Sequence, residues 1–197
     1  MDIEPVTLAG KRVRLEPLRM EHAVPLAGIA TDEEIWRYLP VAFTNEDTVR
    51  GWIEASLRTA AGGSEVPFVI IETANNRPIG STRFMDIRRP NRAVEIGWTW
   101  LGRRWWRSNI NTECKYLLLR HLFDTKGCIR VTLKTDLLNQ RSQRAIERLG
   151  ATREGVLRKH MIVRDGRIRD SVYYSILDDE WPAIRERMEQ GLAMNRA

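Results

Sequence analysis

The sequence predicts a mixed α/β fold of the α+β type: a central, twisted, mostly antiparallel sheet of about seven strands with helices on both faces. Three observations carry that expectation. Short alternating or apolar runs separated by turn dipeptides recur early and late in the chain, as hairpins and meanders do. Capped amphipathic stretches interrupt them at helical spacing. No repeat, linker or low-complexity tract divides the 197 residues, so a single domain over 1–197 is expected.

The elements follow in order. Lys11 to Pro17 (KRVRLEP) alternates charged and apolar residues and reads as a strand with Val13 and Leu15 turned inward. Met20 to Ala30 is a helix, and Thr31-Asp32-Glu33-Glu34 is the capped start of another that carries Ile35, Trp36 and Tyr38 before Pro40 stops it. Asn45 to Ala60 sets Val49, Trp52, Ile53, Ser56, Leu57 and Ala60 on one stripe and ends at Gly62-Gly63. Pro67 to Glu72, a turn at Asn75-Asn76, Pro78 to Ile87, and a second turn at Arg88 to Asn91 build a meander into the strand that carries Glu95. On that strand Val94, Ile96, Trp98 and Trp100 alternate, which assigns the two tryptophans to the core. After a basic, aromatic loop and a central helix, Arg130 to Thr135 is a strand and Asn139 to Leu149 a helix closed by a left-handed Gly150. Val156 to Val163 and Ile168 to Leu177 pair across Asp165-Gly166, and a helix bearing Trp181, Ile184 and Met188 comes last.

Composition narrows the function classes. With 43% hydrophobic and 29% charged residues the chain is globular, and no apolar run approaches the ~18 residues of a membrane span. The acidic start lacks the pattern of a secretion signal, so the cytoplasm is the expected compartment. Cys114 and Cys128 read as reduced core thiols, and His22, His121 and His160 are too scattered for a metal site, so no metal is expected. The net charge of +6 favours an anionic partner: nucleic acid, an acidic surface or a phosphorylated small molecule. A monomer and a homodimer both remain open.

Strand, tight turn and helix N-terminus in that order make an anion cradle, because first-turn N–H groups lack carbonyl partners and the helix dipole favours negative charge. Here Arg107, Ser108, Asn109, Ile110, Asn111 and Thr112 would present consecutive N–H groups, and Glu113 in the same turn must point away. Trp98, Trp100, Trp105 and Trp106 among Arg103, Arg104 and Arg107 also fit a base-stacking surface, although Trp105 and Trp106 serve equally to wall a groove or pack beneath the loop. Glu95 stands opposite Val94 and Ile96. It is either a proton acceptor or the partner of Arg83 or another sheet arginine.

The order of elements, EIGWTWLGRRWWRSNINTE, and above all Asn139, Ser142, the run Glu147-Arg148-Leu149-Gly150-Ala151 and the run Glu154-Gly155-Val156-Leu157-Arg158 resemble the GNAT superfamily of N-acetyltransferases. Within it the chain is similar to the RimJ/RimL-type ribosomal-protein N-terminal acetyltransferases. The resemblance spans nearly the whole chain and implies a GNAT fold and direct transfer of acetyl from acetyl-CoA to an amine, without a metal. The acceptor it implies is a protein or peptide α-amine, with a small-molecule amine as runner-up; a non-catalytic RNA- or ribosome-binding module is the competing class. It further implies Glu95 as base and Ser142 as acid, and coenzyme A contacts from Trp98, Thr99, Trp106 to Thr112, Asn139 and Arg144. Trp36 and Tyr38 would shape the acceptor groove. The chain departs from the family's phosphate loop at Trp106, Asn109 and Asn111; Asn109 is expected to take the left-handed turn usually given to glycine.

Overall fold

The computed structural model, described over residues 1–194, contains eight strands: β1 (Leu8–Ala9), β2 (Val13–Pro17), β3 (Val66–Glu72), β4 (Arg77–Arg88), β5 (Ala93–Leu101), β6 (Arg130–Asp136), β7 (Thr152–Ile162) and β8 (Ile168–Leu177). Its helices are α1 (Ala23–Ala30), α2 (Glu33–Trp36), α3 (Glu46–Ala61), α4 (Ile110–Arg120), α5 (Gln140–Leu149) and α6 (Trp181–Met194). The strands form one sheet in the order β1-β2-β3-β4-β5-β6-β8-β7, one strand more than expected because the short β1 folds back on β2. Every neighbouring pair is antiparallel except β5 with β6. A parallel pair needs a crossover, and α4 supplies it.

Alternation along β3 divides the interior. Phe68 and Ile70 enter one core with Val94, Ile96, Val131 and the apolar sides of α4, α5 and α6. Val69 and Ile71 enter a second core with Leu26, Val49 and Ile53 from α1 and α3. A strand buried on both faces reads as a continuous apolar run, which is why VPFVIIE carries no polar alternation. Burying a side chain such as Phe68 or Phe84 contributes about 1.5–3 kcal/mol. The caps follow the chemistry of their residues: Asp32 accepts from Glu34 N–H, Asn45 from Thr48 N–H, and Gly150 closes α5 at φ 100°, a conformation that suits glycine.

Strand β5 does not keep its alternation. Trp100 pairs with Ser81 and Gly97 with Arg83, so Trp98 and Thr99 together oppose the single residue Thr82. This bulge, with Trp98 at φ 50°, transfers everything beyond it to the other face. Trp100 therefore joins Trp36, Phe43 and Trp52 in the second core, away from Val94 and Ile96, while Trp98 stays half-buried. The alternation that assigned both tryptophans to one core fails at this point.

Candidate active site

Strands β5 and β6 pair only from Ala93–Arg130 to Glu95–Thr132 and then part. The gap between them opens into a cleft of about 270 Å³, floored by Gly97 to Leu101 and walled by Leu133, Lys134 and the start of α5. Beyond Glu95, β5 has lost its β6 neighbour, so its polar backbone is available to an extended ligand.

At one end the cleft meets the β5–α4 loop. Arg107, Ser108, Asn111 and Thr112 line it, as does the half-buried Trp106. The first helical bond runs from Glu113 N to Asn109 O at 2.9 Å, leaving the N–H groups of Asn111 and Thr112 without carbonyl partners inside the helix. Asn109 is not the left-handed residue: it lies at φ −75°, and Arg107 takes the turn at φ 59°. Ile110 turns into the larger core, so only its backbone is available; its N–H lies 3.4 Å from Ser108 Oγ. Glu113 points away from the loop and accepts from the backbone of Lys11 and Arg12.

The floor of the cleft holds a residue that the sequence reading missed. Lys115, one turn into α4 and only 5% exposed, lines the cleft and donates to Thr99 Oγ1, which also meets Thr82 Oγ1 at 2.8 Å. It forms a salt bridge with no carboxylate among the described residues, and burial pulls its pKa from 10.5 to about 8. A desolvated cation below a helix N-terminus fits an anionic ligand. Arg141 was missed as well. Its guanidinium stacks 3.6 Å over Trp106; burial lowers its pKa against the pull of Glu34 and Tyr38, and the charges of Arg107 and Arg103 lower it further. Helical periodicity signals neither residue: Lys115 sits among apolar neighbours, and Arg141 reads as surface.

Glu95 sits where the strands part, 3% exposed, on the face opposite Val94 and Ile96. Its partner is Lys134, 3.1 Å from Oε2; Arg83 is held by Glu65 at 2.6 Å and Ser56 at 3.0 Å. Burial raises the Glu95 pKa above the ordinary carboxylate value, against the pull of Lys134. Oε1 has no hydrogen-bond partner and lies 3.1 Å from where a side chain on Gly97 would begin. Gly97 lines the cleft and Glu95 does not; the Met85 thioether stands 2.6 Å from the same point.

On the opposite wall, Asn139 caps α5 by accepting from Ser142 N–H at 3.0 Å, and both residues line the cleft. Arg144, expected to reach the phosphates, is exposed and does not line the cleft, because it is turned away from the face of α5 on which Ser142, Ala145 and Ile146 meet the cleft. Tyr38 lines the cleft. Trp36 does not: it is 1% exposed, donates its indole N–H to Ala30 O at 2.6 Å and packs on Trp100, so its expected place in an acceptor groove is corrected. The base-stacking surface also dissolves. Trp100 and Trp105 are buried, Trp105 donates to Glu72, and Arg141 covers Trp106.

A parallel strand pair split open beside a helix N-terminus, with polar groups converging from β5, β6 and α5, forms a cleft that suits an extended, anionic ligand. The chain belongs to the GNAT acetyltransferase family, whose domain profile matches residues 12–152. Its relatives include an uncharacterized N-acetyltransferase, p20, of Bacillus licheniformis, 27% identical over 89% of this chain and 98% of that protein. Among solved structures it is similar to a GCN5-related N-acetyltransferase from Brucella melitensis, at 29% identity and TM-score 0.91 over 96% of this chain and 86% of that one. It shares its fold with Mycobacterium smegmatis RimJ, solved in complex with CoA-disulfide, at 21% identity and TM-score 0.83 over 95% of both chains.

Proposed function

We propose that this protein transfers acetyl from acetyl-CoA directly to the α-amine of a peptide or protein. The observation that carries the reading is the cleft itself: β5 and β6 part at Glu95, with a buried lysine on the floor and a helix N-terminus at one end. Acetyl-CoA, when bound, supplies the acetyl group as an activated thioester and leaves as coenzyme A. Lys115, Arg107, Arg141 and the N–H groups of the loop hold the diphosphate. The free edge of β5, from Gly97 to Trp100, hydrogen-bonds the extended arm as a further strand would. A β5 backbone N–H faces the thioester oxygen as charge grows there.

The acceptor must arrive neutral, because an ammonium has no lone pair. Glu95, which lies behind Gly97 and does not itself line the cleft, takes its proton through water. A carboxylate whose basicity is raised by burial is better matched to an α-amine of pKa ~8 than to a lysine amine of ~10.4. Ser142, on the far wall, donates a proton to the departing thiolate. Peptides differing in their first residues, assayed for thiol release with correction for acetyl-CoA hydrolysis beside polyamines and amino sugars, test the reading. Acetylated peptide N-termini support it; acetylation confined to the small amines overturns the acceptor assignment.

A further inference from the structure

The face of the sheet that carries Glu95 continues past the cleft. Val131, Leu133, Val172, Tyr174 and Ile176 point into the larger core. Strand alternation therefore sets Lys134 and Asp136 of β6, and Arg169, Ser171 and Tyr173 of β8, on the opposite face, with Lys134 beside Tyr173 and Asp136 beside Ser171. His160 of β7 closes the group, with its ring nitrogens 2.9 Å from Ser171 Oγ and 3.3 Å from Tyr173 Oη. Burial holds its pKa below the ordinary value, so the ring is neutral near pH 7 and adds no charge there.

The charges on this wall do not cancel. Glu95 is held by Lys134 at 3.1 Å and Asp136 by Arg167 at 2.5 Å. That leaves Arg169. It is 6% exposed, its Nε donates to Ser171 Oγ at 2.9 Å, and it lines the cleft beside Lys134. No carboxylate among the described residues forms a salt bridge with it; Asp136 and Glu95 act on it only from further off, each already bound to its own cation. A buried guanidinium without a counter-ion is costly unless a ligand completes it, and its planar fork matches a carboxylate in two parallel hydrogen bonds.

We propose that Arg169 anchors a carboxylate carried by the acceptor close to the amine that is acetylated. The proposal rests on the transfer of acetyl to an amine proposed above; a free amino acid as acceptor would support it while replacing the peptide assigned there. An α-carboxylate of a free amino acid and an acidic side chain near a peptide N-terminus present the same group, and the assay separates them.

The test pairs each acceptor with its neutral twin: free amino acids with their amides, and short peptide amides beginning Asp or Glu, or Ser-Asp, with those beginning Asn or Gln, or Ser-Asn. The acid member should have the higher kcat/KM, the difference lying in KM. Arg169→Gln should cut that preference by about 30-fold or more, as removing one partner of a buried charge pair does, and Arg169→Lys should restore part of it. Preference in the first series alone identifies a free amino acid, and in the second an acidic N-terminus; either supports the proposal. Equal use of acid and amide, no acetylation of either, or a preference that survives Arg169→Gln overturns it. Failure of the transferase reading is separate: the wild-type protein would then not bind acetyl-CoA in calorimetry at all.

Discussion

Replacing Lys115 by Met should make the protein more stable and a poorer binder of coenzyme A. The lysine is buried without a carboxylate, and the drop in its pKa from 10.5 to about 8, at about 1.4 kcal/mol per tenfold change in proton affinity, puts the cost of the folded ammonium on the order of 3 kcal/mol. Methionine fills a similar volume, and Thr99 keeps the Thr82 hydroxyl, so no buried polar atom is orphaned. The sign follows from linkage. Because the folded pKa is the lower one, the unfolded chain holds more protons between about pH 8 and 10.5, and wild-type stability climbs across that window. Urea denaturation should therefore show Lys115→Met ahead at pH 7, with the gap shrinking toward pH 10.5. Calorimetry at pH 7 should show coenzyme A bound about tenfold or more weaker, as expected for loss of a hydrogen bond to a charged group. A variant less stable at pH 7 that binds coenzyme A like wild type would refute the reasoning and make Lys115 a spacer in the core.

Three further outcomes follow from the cleft. Glu95→Gln should lower kcat by about 100-fold or more while leaving acetyl-CoA binding intact, and should remove an acid limb of the pH–rate profile lying above the ordinary carboxylate range. Gly97→Ala should fold, because the clash at 2.6 Å is with the flexible Met85 thioether, yet lose turnover as the added methyl, 3.1 Å from Glu95 Oε1, crowds the carboxylate; a thermal melt with an initial-rate assay checks both. Asn139→Ala should cost about 1 kcal/mol in denaturant for its lost cap, whereas Ser142→Ala keeps the cap, which uses only the Ser142 backbone, and should affect turnover alone.

The elements were largely legible in the sequence, because periodicity, caps and turn residues are local signals. Asp32 caps α2 and Gly150 ends α5 as read. The bulge at Trp98 and Thr99 was not legible: one inserted residue leaves the apolar pattern of VEIGWTW intact while reversing which core receives Trp100. The left-handed turn moved from Asn109 to Arg107 for a related reason, since no side chain in the loop announces the conformation of its neighbour. Glu95 was marked by its residue type on an apolar strand; Asn139 and Ser142, which line the cleft, were marked by the resemblance to the family. Lys115, Arg141 and Arg169 were not, because they reach the cleft only once β5, β6, β8, α4 and α5 have converged. The same convergence buries Trp36, which the sequence places correctly before Pro40 but cannot orient.

The most direct measurement is a crystal structure of the protein soaked with acetyl-CoA. It should show the diphosphate against the N–H groups of Arg107 to Thr112 within reach of Lys115, and the pantetheine arm lying along β5 between Gly97 and Trp100 with the acetyl group toward Glu95. Coenzyme bound elsewhere, or a cleft in which β5 and β6 stay apart while the Asn109 and Asn111 side chains fill the phosphate end, would contradict the account.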